Sequence, residues 1–131
     1  MQTFCELRRD NGPRETKEGW IADSVADKDI DARMIGHAAK DGDPIAVKTW
    51  EVVADQLGLA MANSVTFSAP QAIFMMGGPT RVGDLLMIPL RKAFEKYLLN
   101  IYAGSCEIRM SQLKANEVAI LGAAALINMK K

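Results

Sequence analysis

The stretch from Gln71 to Asp84, QAIFMMGGPTRVGD, carries the pattern with the clearest chemical meaning in the chain. An apolar run from Ala72 to Met76 ends on Gly77-Gly78, and polar residues follow. Glycine at the carboxyl end of a parallel strand lets a flat or anionic ligand reach the backbone, and open α/β sheets bind ligands at that end. Glycine also turns the chain after a strand with no ligand involved. The pair alone leaves both readings open.

Other chemistry-bearing residue types are scattered. His37 is the single histidine and has no cysteine beside it, so it reads as a helix-surface or packing residue. Asp27, Asp29 and Asp31 imitate the start of a calcium loop, but Ala32 stands at the tight-turn position and Ala38 at the closing acid. Helix capping accounts for these acids better. Met75-Met76 reads as an adaptable core pair, since soft-metal sites need more sulfur at defined spacing. Arg8-Arg9 and Lys130-Lys131 read as solvated charges. No GxSxG or GxxxxGK[ST] stretch occurs, which removes support for nucleophile-elbow hydrolases and P-loop enzymes. Cys5 and Cys106 lie far apart, and two isolated thiols make neither a disulfide framework nor a zinc knuckle. They read as reduced and mostly buried, in a cytoplasmic protein.

These residues need a scaffold, and 131 residues supply one domain's worth. With 49% apolar and 24% charged residues the composition is that of an ordinary globular chain. Sixteen acidic residues balance sixteen basic ones, so the charge points to neither nucleic acid nor a membrane surface. Val118 to Met129 is the longest mostly apolar run, well short of the ~18 residues a bilayer requires, and reads as a buried helix. The N-terminus MQTFCELRR has no apolar signal core.

Met1 to Arg9 fits a short helix, with Phe4 and Leu7 on one side, broken by Asn11-Gly12-Pro13. Residues 1–26 are otherwise loosely organised. Asp27 is the N-cap expected for a helix carrying Ile30, Met34 and Ala38 and closed by Asp41-Gly42. Asp43 caps the next helix, with Pro44 in its first turn. Ala46, Trp50, Val53, Leu57, Ala60 and Ser64 follow a three-four rhythm, so this helix is long and ends by Ser68-Ala69-Pro70. Ala72 to Met76 suits a strand buried on both faces. Gly83-Asp84 opens a helix through Leu86, Leu90, Phe94 and Leu98, which Pro89 either kinks or starts. Asn100 to Ser105 is a turn and Cys106 to Met110 a second strand. Asn116 caps a last helix from Glu117 to about Met129. The order implies an α/β chain, helix-rich with a small parallel sheet. Two strands are a poor sheet with open edges, so a homo-oligomer through a sheet edge or apolar face is expected.

The segments DGDPIAVKTWEVVADQLGLAMANSVTFSAPQAIFMMGG, GDLLMIPLRKAFEKYLLNIY and NEVAILGAAAL, in that order, resemble the C-terminal part of ROK-family sugar kinases (repressor, open reading frame, kinase), the bacterial glucokinases in particular. The resemblance covers about Asp27 to Leu126. It implies a truncated C-terminal lobe of an actin-like, hexokinase-like (ribonuclease H-like) fold, with sugar and ATP between two lobes. It implies that Gly77 and Gly78 pack beside the adenosine of ATP or ADP held with magnesium. It also implies that the helix carrying Gly122-Ala123-Ala124-Ala125 packs closely under the site. Pro79 departs from the small or aliphatic residue expected there.

The family's DxGGT-like phosphate loop, its sugar-binding residues with a catalytic aspartate, and its histidine-cysteine zinc cluster have no counterpart in these 131 residues. MQTFCEL resembles the helix start that follows the zinc cluster. The DNA-binding helix-turn-helix of the family's repressors has no counterpart either. The expectation is a chain that contributes the adenosine side of a nucleotide site, has no zinc site, and does not catalyse alone. The alternative is a non-catalytic module that self-associates.

Overall fold

The computed structural model describes residues 2–12, 20–21, 25–113, 117, 120–121 and 123–125. Helices α1 (Gln2–Asn11), α2 (Ala32–Lys40), α3 (Pro44–Ser68) and α4 (Asp84–Tyr97) accompany a sheet of β1 (Ala72–Met75) and β2 (Glu107–Met110). The strands pair in parallel, with Ala72 opposite Glu107 and Met75 opposite Met110. The pairing continues past both ends, where Glu107 N–H donates to the Gln71 carbonyl and Ser111 N–H to the Met75 carbonyl (3.1 and 2.8 Å). Among the described residues each strand has one neighbour, so each keeps an unpaired edge.

β1 is not buried on both faces. Ile73 and Met75 pack on the core, while Phe74 is 59% exposed and Met76 is exposed beyond the strand end. A layer of helices on one side of the sheet produces this alternation. The Met75-Met76 pair is therefore split between core and surface.

α3 is the spine. Asp43 caps it, its buried Oδ1 accepting from the N–H groups of Ile45 (3.0 Å) and Ala46 (3.3 Å). Oδ2 of the same carboxylate accepts from Ile21 N–H (3.3 Å), and Trp20 Nε1 donates to the Asp41 carbonyl (3.2 Å). One cap residue thus also anchors the incoming chain. The burial stripe begins with Ala46 and Trp50 but then runs through Ala54, Gly58, Met61 and Val65, leaving Ala60 and Ser64 exposed. At 3.6 residues per turn a stripe drifts around a 25-residue helix and follows the partner helix instead of a fixed rhythm. That partner is α4, whose Leu86, Leu90 and Phe94 are buried as their spacing required. Pro89 lies inside α4 rather than at its start, and it leaves the Leu85 carbonyl without its helical donor.

The cap of α2 is Asp31, not Asp27: Asp31 Oδ1 accepts from Met34 N–H at 2.7 Å. Residues Asp27–Asp29 form a 3₁₀ turn. Three aspartates at two-residue spacing are equal candidates for a cap, and long-range pairing decides among them. Asp27 is taken by Arg8 and Arg9, so these arginines are not solvated free charges. Arg9's hydrogen bond, with the charge of Arg8 behind it, holds the Asp27 carboxyl below the usual carboxylate range.

The last helix falls largely outside the described residues, as does its expected cap Asn116. Glu117, Ile120, Leu121 and residues 123–125 are helical, and Ile120 and Leu121 are exposed rather than buried. No described helix is long and apolar enough to cross a membrane.

Candidate functional site

Beyond Met76 the chain turns on glycine. Gly77 takes φ 101°, ψ −170°, a conformation essentially confined to glycine. Its carbonyl then accepts from Thr80 twice, from the hydroxyl at 2.7 Å and the N–H at 3.3 Å. This starts a 3₁₀ segment, Gly78–Val82, which ends on Gly83 at φ 65°. The segment lies against α2 because Gly36 has no side chain: a β-carbon there would come within 2.8 Å of Val82 Cγ1. Lys40 ties the two together a second time, its Nζ donating to the Arg81 carbonyl at 3.2 Å.

Between α2 and this segment lies an open cavity of about 450 Å³. Gly78, Pro79 and Val82 form one wall, Ala32 and Gly36 another, and Trp50 of α3 adds its indole. Volumes in this range suit a nucleoside-sized ligand. Gly78 borders it, and a β-carbon at Gly78 would meet nothing within 4 Å. The glycine leaves space along the cavity rather than relieving a clash. Gly77 does not line the cavity, and its conformation is explained by the turn. The two glycines thus separate, one serving the backbone and the other bordering the cavity.

Residues weighed singly in the sequence come together here. His37 is exposed and lines the cavity, as do Arg33, Lys40 and Arg81. Sequence reasoning passed over these three cations. Their signal was the spacing of Arg33, His37 and Lys40 by four and three, which places them on one helical face. Asp31 is the one carboxylate among the lining residues, so no set of magnesium ligands is assigned to this chain. Ala123–Ala125 do not line the cavity. The cysteines stand apart from it. Burial, and then the charge of Glu107, push the Cys106 thiol up; burial, and then Asp27, do the same for Cys5. Raised thiols are poor nucleophiles. Among the described residues no nucleophile and base are paired beside the cavity.

A helical layer on a parallel sheet whose first strand ends at this cavity is part of the actin-like fold of the ROK sugar kinases. A ROK-family glucokinase from Streptomyces griseus, solved in complex with glucose and AMPPNP, superposes with a TM-score of 0.66 at 29% identity, over 76% of this chain and 32% of that one. Residues 13–130 match the ROK family, and the chain belongs to it. The glucokinase of Thermotoga maritima is 33% identical over 97 residues, 74% of this chain. That of Halalkalibacterium halodurans is 30% identical over 121 residues, 92% of this chain. The chain spans about a third of the length of these relatives, 30% and 36% respectively.

Proposed function

We propose that this chain forms the adenosine side of the nucleotide site of a glucokinase-like sugar kinase, whose reaction is ATP-dependent phosphorylation of a hexose hydroxyl. The observation that carries this reading is the place of Gly78, bordering a nucleoside-sized cavity just past the carboxyl end of β1. The glucokinase relatives and the AMPPNP in the Streptomyces griseus structure support it.

Phosphoryl transfer needs a base, a metal and the phosphates held together. The cavity supplies a binding surface without the base, so by itself this chain binds nucleotide and does not turn over sugar. Calorimetric titration with ADP and magnesium tests the reading. Micromolar to low-millimolar affinity, lost in Gly78→Val, is expected. Absence of heat with both proteins would overturn the nucleotide site. Sugar-dependent ADP formation by the purified chain in a coupled assay would overturn the claim that it does not catalyse alone.

A further inference from the structure

We propose that the cavity between α2 and the Gly78–Val82 segment grips the phosphates of its ligand through a frame of three cations, Arg33, Lys40 and Arg81, and the His37 imidazole, so that it selects nucleoside polyphosphates over nucleosides. The proposal rests on the nucleotide reading above and adds the part of the nucleotide that these residues recognise.

Arg33, His37 and Lys40 form a stripe along α2, and all three line the cavity. Arg81 enters from the opposite wall, where its carbonyl holds the Lys40 ammonium. Elsewhere among the described residues several cations are matched. Arg8 and Arg9 share Asp27, Lys48 pairs with Glu51, Lys96 with Asp55 and Arg109 with Glu107. Lys28, Arg91 and Lys92, which form no ion pair, do not face one another across a cavity. Around the α2 cavity the cations are not matched: among the described residues Arg33, Lys40 and Arg81 form no ion pair with a carboxylate. Asp31, the one lining carboxylate, accepts from the Met34 N–H at the start of α2. The whole chain is neutral, so this concentration is local.

Like charges gathered around a concave, low-dielectric wall repel one another and focus a positive potential into it. An anion relieves that repulsion, and two guanidinium groups match phosphate oxygens with their planar forks. A cavity of about 450 Å³ has room for a nucleoside and part of its phosphate chain together.

The test titrates the whole chain with adenosine, ADP and inorganic tripolyphosphate at low and high salt, and repeats the series with Arg33→Ala/Arg81→Ala. All four side chains of the frame are exposed, so thermal melts of the variant are expected to match the parent. ADP binding about tenfold more tightly than adenosine is expected, with the gap closing in the double variant and shrinking in high salt. Tripolyphosphate is expected to bind weakly and compete with ADP. Should the double variant fold poorly, Lys40→Ala gives the same reading through a single exposed side chain.

Equal affinity for adenosine and ADP would overturn the cationic frame and leave the nucleotide site standing. So would a gap that survives in the variants. Tripolyphosphate binding that neither ADP nor adenosine displaces would overturn the nucleotide reading, and the proposal with it. No binding by ADP or tripolyphosphate would overturn both.

Discussion

Gly58 in α3 and Gly36 in α2 both stand where a neighbouring element comes too close for a β-carbon, yet the two seams they make are different. At Gly58 the neighbours are the Ala93 methyl, 2.7 Å from an added β-carbon, and the backbone that carries it. That β-carbon would fall 2.8 Å from Phe94 N and 2.9 Å from the Ala93 carbonyl carbon of α4. That seam is apolar, lined by Leu90 and Phe94, and is closed at its rim where Tyr97 Oη donates to Asp55 (2.9 Å). At Gly36 the neighbour is one methyl of Val82, and beside that contact the seam opens into the cavity. One device, a helix glycine, thus makes a closed core joint in one place and one wall of an open cavity in the other. Close approach of backbones locks helices together, whereas close approach to a single side chain fixes a loop that still has room to adjust.

The comparison predicts unequal responses to the same substitution. Gly58→Ala has the largest effect. Alanine adds about 1 kcal/mol of helix propensity, but the backbone of α4 must move to admit it. Overpacking of this kind costs about 1–3 kcal/mol, and a net loss of about 2 kcal/mol in urea unfolding is expected. An unchanged midpoint would mean that α3 and α4 are not locked at this joint. Gly36→Ala gains the same propensity and has only the Val82 methyl to displace, so its stability is expected to stay within about 1 kcal/mol of the parent. Its effect falls instead on the Gly78–Val82 wall, and ADP affinity is expected to drop several-fold in the same titration. A variant that unfolds as readily as Gly58→Ala would erase the distinction between the seams.

Legibility in the sequence divides along similar lines. The caps and punctuation of α3, Asp43-Pro44 and Ser68-Ala69-Pro70, are local signals, and they mark the helix where it occurs. The parallel pairing followed from element order alone. What local pattern could not supply was competition at a distance. The choice of Asp31 over Asp27 as cap depends on Arg8 and Arg9, which lie some twenty residues away. The exposure of Phe74 depends on what covers the sheet. For the site, the glycine pair was visible but not its division of labour, since only φ at Gly77 separates a turn from a wall. The cations were passed over because no local motif marks them, and Arg81 lies some forty residues from the α2 stripe it faces. Their common face became meaningful only when the Gly78–Val82 segment was seen lying against it.

Trp50 provides the finest test of how the two seams meet. It lies on α3, within the closed core, yet its indole also lines the cavity, and it is 6% exposed. Its Nε1–H has no hydrogen-bond partner among the described residues. A buried N–H left unpaired costs about 1–3 kcal/mol, and a site that retains one has set ring volume above hydrogen bonding. Trp50→Phe removes the orphan donor and a part of the ring together. The two effects oppose, so urea unfolding is expected to shift by less than about 1 kcal/mol, against about 3–5 kcal/mol for truncation to alanine. If phenylalanine instead proves as damaging as alanine, the indole N–H has a bonding role in the folded chain, and the floor of the cavity is polar. If it is neutral, the floor is an apolar plate shared with the core, and selectivity lies with the cations around it.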